Sequence, residues 1–444
     1  MRILTSLILL SLVTSLVTAK DILPYPIQKK DMPNGLKVVT IPYDSPGLAA
    51  FYIVVRVGSR DEIEKGKTGF AHFFEHMMFR GTDKYSKEQY SDVMKSIGAS
   101  ANANTSLDRT VYHMTGNASK LETMFELEAD RFQFLKYSVQ DFKTEAGAVK
   151  GEYTKNNSSP YSRLYESVLN TAFDNHTYKH TTMGFLEDIV DMPNQYDFSL
   201  EFFKRYYRPE YCTIIVVGDV TSDRVNALAE KYFGKWERGN YVTTIPQEPA
   251  QTATRYFHLQ VPQFPPYLDI NYKSPAFSLE NNDYHALSIL SQILFSERSE
   301  LYKKLVVKDQ TARNISGGVY PTRDPYLFSA SVSLVKAESM AALKKEILDA
   351  IEQAKKTPVS AEILKATKDR IRYSFAMSMD SPDAIANAVA LYTWVTGDPS
   401  SINRSYELFD SVTAADIQRV AEKYLVPSRM TIATISPDEK PILD

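Results

Sequence analysis

The segment His72-Phe73-Phe74-Glu75-His76 decides how this chain folds around its chemistry. It reads H-x-x-E-H, the inverse order of the H-E-x-x-H metal-binding helix. Residues four apart on an α-helix share one face, so His72 and His76 can grip one metal ion with their imidazoles. Glu75 borders the same face, where its carboxylate can take a proton from a water held by that metal. Zinc with an open coordination position lowers the pKa of such a water to about 7. The flanks argue against two ordinary surface histidines. Phe70, Phe73, Phe74, Met77, Met78 and Phe79 predict a largely buried helix. Two histidines and a glutamate buried together without a metal would be costly.

The rest of the chain frames this helix. Its 444 residues carry a net charge of −3, which gives no electrostatic case for nucleic-acid binding. Met1-Arg2, an apolar run from Ile3 to Val17 and the small-residue site Val17-Thr18-Ala19 read as a signal peptide over residues 1–19, cut before Lys20. The run is short for a membrane anchor and is interrupted by Thr5, Ser6, Ser11, Thr14 and Ser15. Cys212 is the only cysteine, so no internal disulfide can form. A periplasmic or secreted protein is expected, held together by its core alone.

Strands are expected at Leu36 to Ile41, Ala49 to Val57, Ser100 to Asn104, Thr110 to Thr115 and Cys212 to Val217. Helices are expected at Lys87 to Ile97, Ala118 to Leu135 and Gln140 to Lys155, the last stopped at Asn156 to Pro160. Gly239 to Thr254 is rich in Pro, Thr and Gln and reads as a connector, with 241–254 as the linker proper. The vocabulary then repeats. Strands at Tyr256 to Leu259 and Leu268 to Tyr272 precede helices at Tyr284 to Phe295 and Ser299 to Val306. Further strands, Ile315 to Val319 and Leu327 to Leu334, precede helices from Met340 to Lys355 and Ala361 to Met377. The segment from Tyr206 to Ile215 also resembles that from Lys423 to Ile432. The expected fold class is α+β. It has two homologous domains, 20–240 and 255–444, each a mostly antiparallel sheet with helices packed on one face.

These features together resemble the pitrilysin family of zinc peptidases, which includes insulin-degrading enzymes and mitochondrial processing peptidases. Gly58-Ser59-Arg60-Asp61-Glu62 and Lys67-Thr68-Gly69-Phe70-Ala71 lead into the histidine helix in the family manner, and Met77-Met78-Phe79-Arg80-Gly81-Thr82 closes it. Asn102-Ala103-Asn104-Thr105, Asp108-Arg109-Thr110-Val111-Tyr112, Tyr207-Arg208-Pro209 and Val216-Val217-Gly218-Asp219 also match. The likeness is to the half-length, two-domain bacterial type, one half of a clam-shell.

The resemblance implies a third zinc ligand about 76 residues beyond His76, where Glu152 stands, and one zinc ion per chain. Spacing alone leaves Glu128, Asp130, Glu145 and Glu152 open. Glu145, two helical turns before Glu152 and on nearly the same face, is placed with the catalytic groups as support for the ligands. Glu75 is implied as general base and acid, and Asn102 and Ala103 as an edge that binds an extended peptide. The implied activity is that of an exported zinc endopeptidase subunit acting on peptides or small unfolded proteins. A non-catalytic scaffold or a peptide-binding subunit of the same fold is the alternative.

The second half departs from the family pattern. An arginine and a tyrosine that serve substrate binding there are replaced by Val306 and Arg313, and Arg298 or Tyr302 fit the spacing poorly. The departure implies a homologous partner subunit that supplies the pair.

Overall fold

A computed structural model describes residues 21–441 and Leu443. The expected signal peptide, 1–19, lies outside the described residues. Among the described residues, no helix is long and apolar enough to cross a membrane.

Two mixed sheets form the frame. The first contains β1 (Gln28–Asp31), β2 (Lys37–Pro42), β3 (Leu48–Val55), β4 (Ser100–Thr105), β5 (Thr110–Asn117) and β6 (Cys212–Gly218), in the order β1-β2-β6-β3-β5-β4. The second contains β7 (Arg255–Gln260), β8 (Tyr267–Lys273), β9 (Ala312–Val319), β10 (Leu327–Leu334) and β11 (Met430–Ser436), in the order β7-β11-β8-β10-β9. The orders superpose strand for strand once β1 is set aside. In both, the last strand runs parallel to the first of the shared set and antiparallel to the second. The Tyr206–Lys423 likeness also has a structural counterpart. Pro209–Tyr211 and Pro427–Arg429 are matching 3-10 turns that feed β6 and β11.

The helices of the first half are α1 (Phe70–Met77), α2 (Lys87–Ser96), α3 (Leu121–Phe134), α4 (Val139–Asn157) and α5 (Pro160–Ala172), followed by three more before the second sheet. Alternation along β3 shows how its two faces are used. Ala49, Phe51, Ile53 and Val55 share a core with α1 and α3, whereas Ala50, Tyr52 and Val54 face the second half. That second face is covered by the helix Pro382–Thr396, whose Asp383 accepts hydrogen bonds from Tyr52 and Thr115 at 2.9 and 3.0 Å.

The cover is reciprocal. Leu164, Val168, Leu169 and Ala172 of α5 pack on Ala433 and Ile435 of β11. Burial on both faces explains why β6 and β11 are wholly buried and rich in β-branched residues. The stop expected at Asn156 to Pro160 holds, since α4 ends at Asn157, and Pro160 then occupies the first turn of a new helix, α5, where its missing amide costs nothing. The connector contains no regular element but is tied to both halves. Glu248 accepts from the amides of Asp174, Asn175 and His176 and pairs with Lys273 at 2.8 Å.

Candidate metal centre

Helix α1 has only eight residues and no side-chain cap of the usual kind. Gly69 precedes it at φ +90°, and a Cβ there would meet Ile189 and the backbone of Met183 within 2.8 Å. Glu62 supplies the cap from a distance. Its carboxylate accepts from Gly69 N at 2.8 Å and Ala71 N at 2.7 Å, at the positive end of the helix. Burial pushes the Glu62 carboxyl up, and these two amide bonds oppose that rise. At the other end, Tyr112 donates to the Phe74 carbonyl at 3.2 Å. Phe70, Phe73 and Phe74 anchor the helix in the core, which leaves Glu75 and His76 on its half-exposed side.

Helix α4 crosses α1 and brings Glu152 to the histidines. Glu152 Oε2 lies 3.7 Å from His72 Nε2 and 3.3 Å from His76 Nε2. All three donor atoms fall within 4.8 Å of one another. Zinc bonds of about 2.0–2.2 Å in a tetrahedron set ligand atoms roughly 3.3–3.6 Å apart. The two histidine–glutamate separations, 3.3 and 3.7 Å, are close to that range, and two imidazole nitrogens with one carboxylate oxygen are a donor set that suits zinc.

One turn pair earlier on α4, Glu145 is buried and Oε1 sits 2.9 Å from His76 Nδ1. Its other oxygen accepts from Arg80. An ionised carboxylate only accepts, so His76 carries its proton on Nδ1 and presents Nε2 to the centre. His72 has no such partner: its Nδ1 is buried without a hydrogen bond among the described residues. Burial lowers the pKa of His72, with Glu75 and Glu152 opposing, so the imidazole favours its neutral, ligating form. Glu75 Oε2 accepts from the Thr105 hydroxyl at 2.6 Å.

The competing carboxylates are occupied elsewhere. Glu128 pairs with Arg131 at 2.6 Å, and Asp130 accepts from Thr82. Asn102 and Ala103 lie on β4, the outermost strand of the first sheet. The Ala103 amide donates to the Asn102 side-chain oxygen at 2.9 Å, so this edge donor is satisfied locally. In the second half, Glu300–Tyr302 is a single helical turn that widens into a π-type turn at Lys303–Lys308. Val306 packs on the second core, while Arg298 and Arg313 are exposed. The helix Asp283–Phe295 follows β8 as α1 follows β3, but its histidine, His285, bonds Ser405 instead of a partner histidine.

Sequence reading missed Glu62, Arg80 and Thr105. Arg80 stands four residues after His76, a helical spacing that could have flagged it. Glu62 and Thr105 reach the site only through tertiary packing.

The profile described as Insulinase (Peptidase family M16) matches residues 38–185, and that described as Peptidase M16 inactive domain matches residues 195–371. Zinc protease PqqE of Helicobacter pylori is 30% identical over 420 residues, covering 91% of each chain. A probable mitochondrial-processing peptidase subunit beta of Arabidopsis thaliana is 23% identical over 419 residues, covering 91% of this chain and 77% of that one. Among solved structures, a protease from Helicobacter pylori superposes with a TM-score of 0.85 at 28% identity, over 93% of this chain and all of that one. The periplasmic protease PqqL of Escherichia coli shares the fold, with a TM-score of 0.75 at 18% identity over 93% of this chain and 48% of that chain. With matching profiles in both halves and a 30% identical relative along nearly its whole length, the chain belongs to peptidase family M16.

Proposed function

We propose that this protein is an exported zinc metalloendopeptidase subunit that hydrolyses peptides or small unfolded proteins. The observation that carries the reading is the convergence of His72 Nε2, His76 Nε2 and Glu152 Oε2, with Glu75 alongside. His72, His76 and Glu152 hold one ion. Bound zinc supplies Lewis acidity there, lowering the pKa of water to about 7 and polarising a peptide carbonyl. Glu75 accepts a proton from the attacking water and passes it to the leaving amine. Thr105 fixes the Glu75 carboxylate, and Glu145 with Arg80 fixes the His76 ring. An extended peptide pairs with the free edge of β4, where its backbone replaces the Asn102–Ala103 bond.

Glu75→Gln tests the chemistry. It should keep zinc and fold but lose roughly 10²–10⁴ in peptide turnover. Unchanged turnover would remove Glu75 from the mechanism. The export reading predicts a mature chain beginning at Lys20, which intact-mass measurement on the exported protein would check.

Val306 and Arg313, in place of an arginine–tyrosine pair, support a homologous partner subunit that carries that pair. The partner would face this chain across a shared chamber. Loss of donors to a developing oxyanion costs roughly 10²–10³ in rate, so the isolated chain should be correspondingly slow. Full activity in a preparation shown by mass spectrometry to contain this chain alone would refute the partner.

A further inference from the structure

The α5-facing side of the second sheet is not uniformly apolar. Helix α5 covers β7 and β11. On the neighbouring strands β8 and β10, the same side carries Asp269, Asn271, Ser329 and Ser331. The opposite, core side of these two strands is Leu268, Ile270, Tyr272, Phe328, Ala330 and Val332. The polar stripe therefore does not arise from an exposed sheet. It lines a pocket of about 420 Å³ between the two halves, walled on the other side by α5. The turn after β4 adds Ser106 and Leu107 to the lining, and Ser106 follows Thr105, the residue that holds Glu75, directly in the chain.

Among the described residues, Asp269 is the only charged one in the lining. Its Oδ2 accepts from Asn271 at 2.8 Å and its Oδ1 from Ser331 at 2.5 Å. These bonds orient the carboxylate but leave acceptor capacity on both oxygens. Among the described residues, no lysine, arginine or histidine pairs with it. Burial accordingly pushes its carboxyl up. A carboxylate set in a protein wall without a counter-charge is costly unless something else supplies one.

The remaining walls suit a particular visitor. Tyr165, Tyr320 and Tyr326 present aromatic rings, which attract a cation to their faces, and Leu164 and Val168 offer an apolar path for a hydrocarbon stem. An acidic side chain would be repelled, and an apolar one would seal the carboxylate against hydrocarbon.

We infer that this pocket receives a lysine or arginine side chain of the bound peptide, with Asp269 as its counter-charge. The inference rests on the peptidase reading for its ligand class, since the peptide would lie along β4 and drop one side chain past Ser106. Asp269 is thus a specificity residue and takes no part in bond cleavage.

Binding, which needs no turnover, tests it separately from the peptidase reading. Decapeptides in which a single lysine is walked along an uncharged sequence are titrated against the full chain by calorimetry, with norleucine peptides as controls. One lysine position should bind about tenfold tighter than its norleucine counterpart. Asp269→Asn should erase the difference while leaving norleucine binding and melting temperature unchanged. If Asp269→Asn melts early, Ser329→Asp decides instead, because a second carboxylate on the same wall should widen the lysine preference. No lysine preference in the natural protein, a preference that survives Asp269→Asn in a folded variant, or no widening in Ser329→Asp overturns the inference. Hydrolysis of the same peptides is read in parallel. Lysine preference with no cleavage above that of Glu75→Gln, over incubations long enough to register the slow rate expected of the isolated chain, would sink the peptidase reading and leave the pocket standing.

Discussion

Glu145 holds His76 from behind, with its Oε1 2.9 Å from the ring nitrogen that faces away from Glu152. The bond fixes both the tautomer and the ring plane of a proposed ligand, and Arg80 fixes the carboxylate in turn. Removing such support typically weakens metal affinity 10–100-fold. Glu145→Gln should therefore bind zinc about 10–100-fold more weakly in chelator competition while keeping the fold. His76→Ala, which removes a donor atom itself, should show near-complete zinc loss by metal analysis. Full zinc retention in His76→Ala would sink the ligand assignment, and unaltered affinity in Glu145→Gln would reduce Glu145 to a packing role.

In the proposed mechanism Thr105 positions Glu75 through its 2.6 Å bond to that carboxylate. Thr105→Val keeps the shape and removes the donor. Its kcat should fall by about tenfold, in line with one lost charge-assisted hydrogen bond of roughly 1.5 kcal/mol. Zinc content and KM should hold, and Thr105→Ser should restore most of the rate. A Val variant with natural kcat would show that Glu75 orients itself.

The exchange of covering helices makes each half part of the other's core. Ile385, in the helix Pro382–Thr396, is fully buried. Ile385→Ala should cost about 2–5 kcal/mol in denaturant unfolding. The loss should appear in a single transition, seen alike by tryptophan fluorescence and far-ultraviolet circular dichroism. Two separated transitions would mean that the halves unfold independently despite the shared packing.

His285, outside the candidate metal centre, gives the stability a pH dependence of its own. It is wholly buried against Phe277, Tyr284 and Phe409, and its Nε2 is 3.0 Å from Ser405. Burial pushes its pKa from 6.5 down to about 3, with the Arg404 charge adding to the effect. The unfolded chain takes up a proton below 6.5, while the folded one resists until about 3. The folded state binds fewer protons in that window, so stability is full above it and falls as pH drops. The slope from one group approaches about 1.4 kcal/mol per pH unit. Urea unfolding of the natural protein and of His285→Gln from pH 7 to pH 4 should give a shallower slope in the variant. Equal slopes would mean that His285 titrates normally when folded.

The sequence by itself determined many of the elements and which candidate residues share one face of α1. The i, i+4 histidine pair on an apolar helix, the alternating strands and the long α4 are local periodicities, and local periodicity survives in a bare sequence. Repetition of the strand vocabulary after the connector likewise announced two related halves. What the sequence left open was set by where elements cross. Four carboxylates had acceptable spacing, and only the packing of α4 on α1 brings Glu152 to within 3.3 Å of His76 Nε2 and Glu145 behind the same ring. Glu62 caps α1 from outside the helix, and Thr105 reaches Glu75 from β4. The covering role of α5 was invisible because Pro160 signals a helix stop and a helix start equally well. The Asp269 pocket needs a sheet of one half and a helix of the other. Hydrogen bonds and burial between residues far apart in sequence depend on the three-dimensional path of the chain, and no periodicity in the sequence encodes that path.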